Sequence, residues 1–183
     1  MKKIFAVALV AMMTLTVNAQ VYVGGGVGFQ TTSQDGNSET FFKLVPEIGY
    51  NLDENMSLGV ALGYKQGSTS LAWELKNPNE DLKTFSIMPY LRYKFVNFGP
   101  VTVFADGALE YEHIDDNGDK ANAFGLAVLP GVAVNLTEKL SFVSHVGRLG
   151  YSQAKADADG AKAISTFGLD LDNSLSFGLY YNF

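Results

Sequence analysis

The sequence predicts an all-β protein, an eight-stranded antiparallel up-and-down transmembrane β-barrel. Large apolar residues alternate with small or polar ones through eight successive stretches, which is the period of a strand with two different faces. The connections are alternately short and long, as in barrels with short periplasmic turns at one end and longer extracellular loops at the other. After residue 19 no apolar run reaches the length of about 18 residues that a membrane-spanning helix needs.

Residues 1–19 are predicted to be a signal peptide. Lys2 and Lys3 precede an apolar run, Ile4–Val17, that is too short to span a bilayer comfortably as a helix. A small-x-small pattern then ends at Ala19, so that cleavage would leave Gln20 as the first mature residue. We therefore expect a signal peptide at 1–19 and a barrel domain at 20–183. The alternative is an uncleaved anchor helix.

The composition argues against several classes of protein. Lys and Arg number 13 against 19 Asp and Glu, which gives a net charge of −6, and such an acidic chain is a poor partner for nucleic acid. The sequence contains no Cys, so neither disulfides nor thiol chemistry is available.

The first four strands carry apolar residues at every second position. Their expected bounds are Val21–Gln30, Phe41–Leu52, Met56–Gln66 and Thr84–Val96. The first strand has glycine on its inward face, which relieves crowding inside a small barrel. The run Gly24–Gly28 could also be a phosphate-binding loop, but no Lys-Ser or Lys-Thr pair follows it, so a strand is predicted.

The last four strands show the same alternation. Their expected bounds are Val101–Glu112, Ala123–Leu136, Leu140–Tyr151 and Ser165–Phe183. The seventh strand is the least regular, because Arg148 falls on the outward face unless the strand bulges there or has left the membrane. Ser144 and His145 are neighbours on this strand and point to opposite faces, which disfavours a catalytic pair.

Polar connections of about ten residues or more are expected at the extracellular end. They are Thr31–Thr40, Gly67–Lys83, His113–Asn122 and Ser152–Ile164. The acidic segment Asp115–Asp119 matches a calcium loop only in part, since its twelfth position is Leu126 instead of Glu. We predict a solvated loop and no metal site.

Three prolines occupy equivalent outward positions on the three strands that run toward the short turns: Pro46, Pro89 and Pro130. Proline cannot donate a hydrogen bond to a β-ladder, so each is predicted to mark an irregularity in the sheet. Outward aromatic residues also cluster toward both ends of the strands, and this arrangement is typical of the two membrane–water interfaces.

Charged residues at inward positions predict a polar network inside the barrel. Its expected members are Lys43, Glu47, Lys65, Arg92, Lys94, Asp106, Glu110 and Glu112. Glu47, Arg92 and Asp106 lie at similar distances from the short turns, so Arg92 is predicted to pair with Asp106 or Glu47, because an unpaired buried charge is costly. An eight-stranded barrel is only wide enough for its own side chains, which favours a filled core over an ion path or a binding site.

The last strand carries the most specific signal. Four alternating residues end the chain: Phe177, Leu179, Tyr181 and Phe183. This pattern resembles the C-terminal assembly signal of Gram-negative outer-membrane barrels. The chain as a whole resembles the small eight-stranded outer-membrane β-barrel family of the OmpX and OmpA-membrane-domain type. The resemblance implies an integral protein of the cell outer membrane, exported with a cleaved signal peptide and folded by the barrel-assembly machinery. It also implies contact with outer-membrane lipid and lipopolysaccharide.

The function expected from these features is a structural or surface-interaction role, as a monomer, without enzymatic activity, cofactor or catalytic site. A narrow or gated pore is one alternative, and a lipid-modifying outer-membrane enzyme is a second. A soluble lipocalin-like carrier is disfavoured, because such a barrel holds apolar residues inside, whereas Glu47, Arg92 and Asp106 are predicted there.

Overall fold

The computed structural model describes residues 20–34, 37–67, 82–157 and 160–183. They form a closed barrel in which every strand pairs antiparallel with its neighbours in sequence and β8 pairs with β1. The strands are β1 (Val21–Gln34), β2 (Asn37–Asn51), β3 (Met56–Gln66), β4 (Leu82–Phe98), β5 (Val101–Asp116), β6 (Asp119–Asn135), β7 (Leu140–Ala156) and β8 (Ile164–Asn182). The predicted fold class is confirmed. The predicted signal peptide, its cleavage site at Ala19, and most of the connection at 67–83 lie outside the described residues.

Three connections lie at one end of the barrel: residues 52–55, 99–100 and 136–139. We call this end the turn end and the opposite end the loop end. Within the described ranges, no helix is long and apolar enough to cross a membrane.

The barrel is apolar outside and polar inside. Large apolar side chains stand on the outer wall with about half of their surface exposed, such as Phe95 at 58%, Phe124 at 62% and Leu179 at 54%. The buried positions include the charged residues Glu47 and Arg92. This inverts the distribution of a soluble protein and fits a barrel whose outer wall faces hydrocarbon.

The strands extend further toward the loop end than the hydrophobic alternation indicated. The segment His113–Asn122 was expected as an acidic loop, and this expectation is wrong: β5 and β6 stay paired up to Asp116 and Asp119. The reversal is made by Asn117 and Gly118 alone, with φ of 54° and 103°. Two residues with positive φ form the tight hairpin turn that Asn-Gly favours. The expected loop at 31–40 is likewise shortened, because Thr31–Gln34 pairs with residues 37–40.

A β-bulge at Gly147 decides where Arg148 points. The register of β7 against β8 shifts between Val146 and Arg148, and Gly147 has a φ of 110°, which is readily adopted only by glycine. The extra residue moves Arg148 to the inward face. The sequence had left this open, with the outward face as the default.

Each of the three prolines coincides with a gap in the ladder toward the following strand. Pairing of β2 with β3 is interrupted at Pro46, that of β4 with β5 at Pro89, and that of β6 with β7 at Pro130. The missing proline N–H explains the interruptions at Pro46 and Pro89, whereas at Pro130 the bulge at Gly147 lies opposite and also shifts the register. The predicted irregularities are therefore present.

Candidate functional site

A cluster of buried side chains closes the lumen nearer its turn end. We call this cluster the plug, and it consists of Tyr22, Glu47, Tyr90, Arg92, Phe104, Asp106, His145 and Tyr180. Its centre is Arg92 on β4, which lies directly opposite Asp106 on β5. The guanidinium donates from Nε to Asp106 Oδ1 and from Nη2 to Oδ2, both at 2.8 Å. Such a two-point ion pair is the strongest kind of side-chain hydrogen bonding in proteins.

Glu47 is the second carboxylate of the plug, and it accepts hydrogen bonds from two tyrosines. Its Oε1 lies 3.6 Å from Arg92 Nη2, and its Oε2 accepts a hydrogen bond of 2.5 Å from the Tyr180 hydroxyl. The Tyr90 hydroxyl donates a hydrogen bond to Oε1, and the hydroxyl groups of Tyr90 and Tyr22 lie 2.6 Å apart. Three tyrosines from three different strands are therefore connected to one carboxylate, which offsets the cost of burying its charge.

The aromatic rings of the plug also hold the Arg92 cation. Its guanidinium carbon lies 4.1 Å from the centre of the Phe104 ring and 5.1 Å from that of Tyr90. At these distances the face of a ring attracts a cation, and the attraction is stronger where water is excluded. The ring of His145 meets Phe104 edge-on at 5.3 Å, and its Nε2 lies 2.8 Å from Asp106 Oδ2.

Glycines on the inward face leave the space that the plug fills. A Cβ at Gly49 would collide with the Tyr22 ring, and one at Gly59 with the end of Tyr90. The sequence predicted that inward glycines relieve crowding, and at Gly59 the relief is specific to one tyrosine.

One cavity lies on each side of the plug. The cavity on the loop side has a volume of about 670 Å³, and the one on the turn side about 440 Å³. Tyr180 and Val143 line both of them, so the plug is a thin layer between two open volumes.

The other predicted inward charges lie in these two cavities. In the loop-side cavity Lys65 Nζ lies 3.2 Å from Glu112 Oε1, and Arg148 Nη2 lies 2.5 Å from Glu110 Oε2. Lys43 lines the same cavity. Lys94 lies on the turn side and donates to Asn51 Oδ1 at 3.0 Å.

The sequence did not predict the contact of Ser176 with His145. Ser176 Oγ lies 3.4 Å from Nδ1 of His145, whose Nε2 faces Asp106, so the three side chains follow the order of a hydrolytic triad. The two ring nitrogens are exchanged relative to that triad, and Asp106 is already bound on both oxygens by Arg92. The arrangement is therefore better suited to bridging strands than to activating a nucleophile. The strand register, which an alternation pattern does not give, brings these residues together.

Among the residues that the structure describes, no group of three or more potential metal ligands is found. The acidic segment near the loop end forms the hairpin turn, in which Asp115 Oδ1 accepts a hydrogen bond of 3.1 Å from the Gly118 amide. That bond stabilises the turn.

The last strand presents its alternating residues outward, with Phe177 55%, Leu179 54% and Tyr181 40% exposed. Phe183 is half-buried, packs edge-on against Tyr181 at 5.1 Å, and its amide donates to the Val21 carbonyl at 3.1 Å.

An apolar outer wall around a polar, charge-paired lumen defines an integral membrane β-barrel. The chain belongs to the outer membrane protein beta-barrel domain family, whose profile matches residues 4–183. It is accordingly a protein of the outer membrane.

Solved structures of other proteins are similar to this chain. The chain is similar to the crystal structure of Neisserial surface protein A, with a TM-score of 0.51 and 22% identity over 89% of this chain and 97% of that one. A major outer membrane protein from Thermus thermophilus is 13% identical, with a TM-score of 0.47 over 90% of this chain and 98% of that one. A search of the curated proteins gives no match.

Proposed function

We propose that this protein is a non-conducting barrel with a structural or surface-interaction role, whose lumen is filled by the plug. The observation that carries this proposal is the double hydrogen bond between Arg92 and Asp106, buried under three tyrosines. Moving ions through this layer would require breaking a buried ion pair, which is costly. The protein acts through its outer surfaces and its loops, as a monomer.

The outer surface at the loop end suits contact with lipopolysaccharide. Lys83 on β4 and Lys120 on β6 both lie opposite Asp115 of β5. Lys155 on β7 lies opposite Asn122 of β6. All three lysines are exposed and share the outward face with Phe85 and Phe124. Ammonium groups just beyond an apolar wall are well placed for the phosphate groups of an outer leaflet. Export by a cleaved signal peptide and folding by the barrel-assembly machinery belong to the same proposal.

Planar-bilayer recording tests the proposed closed lumen. The wild-type protein is expected to give no discrete conductance steps, whereas a variant with alanine at Tyr22, Tyr90 and Tyr180 is expected to conduct. The matched control carries alanine at three outward tyrosines: Tyr50, Tyr93 and Tyr181. A heat-modifiable band on gels establishes that each variant is folded. Discrete steps from the wild-type protein would contradict the proposal.

A gated pore is the second candidate, and one observation favours it. Arg92 Nη2 lies within reach of a second carboxylate, Glu47, at 3.6 Å, and open volumes lie on both sides of the plug. Exchange of Arg92 between Asp106 and Glu47 would be a two-state movement within this layer. Wild-type conductance steps whose frequency changes in Asp106→Asn would support this candidate over the first.

A further inference from the structure

We propose that the loop-side cavity binds an anionic group, a phosphate or a carboxylate, between Lys43 and Lys65. The two residues are direct partners across β2 and β3, and both side chains line the cavity. Like charges directly opposite each other on one face of a sheet repel and are destabilising. An anion between them would turn this repulsion into attraction.

The carboxylates near the two lysines are already engaged. Glu112 Oε1 lies 3.2 Å from Lys65 Nζ, and although Glu112 also attracts Lys43 through space, the described residues give Lys43 no ion pair of its own. One carboxylate therefore serves two ammonium groups on this wall.

The other acidic groups of the cavity face elsewhere. On the opposite wall Arg148 binds Glu110 at 2.5 Å and lies across from Asp170 on β8. At the floor Glu47 is held by Arg92, Tyr90 and Tyr180. His145 contacts Asp106 and Ser176, and the Tyr111 hydroxyl donates a hydrogen bond of 3.0 Å to Asn122 Oδ1. The excess of positive charge is thus local to the β2–β3 wall.

The wall beside the lysines leaves room for a ligand. Gly28 and Gly63 line the cavity there, and a Cβ at Gly28 would crowd the stem of Lys43, at 3.3 Å from its Cβ, so the glycine leaves that stem in place. The side chains of Lys65 and Glu112 are 34% and 37% exposed, so the site is reachable from the loop end. The cavity volume of about 670 Å³ lies in the range of small-molecule sites.

The seam between β1 and β8 is weakly paired beside the cavity. In the part of the chain that the structure describes, these strands pair only from Tyr22 to Gly25 with Leu179 to Asn182. Val27 and Phe177, from the two sides of the seam, line the cavity. The anionic group therefore belongs either to a free ion from outside or to a single-chain amphiphile whose tail lies in the seam.

Lysine NMR of the folded protein in uncharged micelles tests the site. The Nζ signals of ¹⁵N-lysine-labelled protein are titrated with inorganic phosphate and, separately, with dodecyl phosphate. Lys43→Met and Lys65→Met assign the two signals. Saturable shifts are expected at these two signals, and they should be larger there than at the outward lysines. Saturation by phosphate assigns a free anion, and saturation by dodecyl phosphate alone assigns an amphiphile. No shift with either probe, or equal shifts at all lysines, would overturn the proposal.

Matched variants give a second readout. Lys43→Met is expected to weaken binding of the active probe at least tenfold, whereas Lys139→Met, at an exposed position of the turn end, should leave it unchanged. Without probe, Lys43→Met should melt at or above the wild-type temperature, because the repulsion is gone. The probe should then raise the melting temperature of the wild type and of Lys139→Met only. An equal rise in Lys43→Met would also contradict the site.

Discussion

Arg92 and Asp106 lie directly opposite each other on β4 and β5 and form two hydrogen bonds of 2.8 Å inside the barrel. The side chain of Asp106 is 1% exposed and that of Arg92 7%, so little of the pair is accessible to water. Because the two residues come from adjacent strands, the pair also fixes the register of the sheet at this depth.

Asp106→Ala is expected to lower the free energy of unfolding by about 3–5 kcal/mol, because it leaves Arg92 charged and buried without its two-point partner. The matched control is Glu110→Ala, on the same face of β5. Its partner Arg148 has a side chain 27% exposed. That loss should be about 1 kcal/mol or less, since water replaces the lost partner. Urea unfolding in lipid vesicles, followed by circular dichroism, measures both. Equal losses of unfolding free energy in the two variants would show that burial does not determine how much an ion pair stabilises this barrel.

Gly59→Ala is expected to destabilise the barrel by about 1–3 kcal/mol, because the added methyl group forces the packed Tyr90 out of place. The nearest atoms to a Cβ at this position all belong to Tyr90. Gly107→Ala is the control, since a Cβ there meets only one backbone atom, at 3.9 Å. The same urea titrations apply, and Tyr90→Leu should reduce the additional cost of Gly59→Ala. If the cost is unchanged in the Tyr90→Leu background, the collision is not its cause.

The side of the sheet to which a residue belongs could be predicted from the sequence, because alternation with period two records which face meets hydrocarbon. Glu47, Arg92 and Asp106 were assigned inward in this way, and the structure places them together. The contact of Ser176 with His145 depends on the register between β7 and β8, which the alternation pattern does not determine. The strand extensions around Asn117 were missed because residues 113–122 are mostly polar, so no apolar alternation marks them as strands.

Gly147→Ala is expected to cost about 1–2 kcal/mol, because the bulge holds this residue at a φ of 110°, where a side chain is strained. Gly168→Ala on β8 is the control, since it has ordinary φ and nothing within 4 Å of an added Cβ. Thermal unfolding measured by the gel shift on heating compares the two. Strain would be the wrong explanation if the two variants unfolded at the same temperature.

Ser176→Ala is expected to leave the lipid A of overexpressing cells unchanged in mass, as the wild-type protein should. The reason is that Asp106 is bound to Arg92 and the His145 ring presents its nitrogens in the wrong order for a triad. Mass spectrometry of extracted lipid A measures this. A mass change produced by the wild type and lost in Ser176→Ala would show an enzyme.

Phe183→Ala is expected to lower the amount of folded barrel in the outer membrane of cells several-fold, while refolding from urea into detergent stays near the wild-type yield. The reason is that Phe183 makes one ring contact with Tyr181 and one backbone bond to Val21, and the backbone bond survives the substitution. We therefore expect this side chain to matter less for the stability of the folded barrel than for the recognition step that we propose for β8 during assembly. Phe167→Ala is the matched control, an outward aromatic of the same strand that is 75% exposed. Heat-modifiable bands from membrane fractions and from refolding reactions give the two yields. Equal losses in both would assign Phe183 to stability, and equal cellular losses in Phe167→Ala would remove the special role of the last residue.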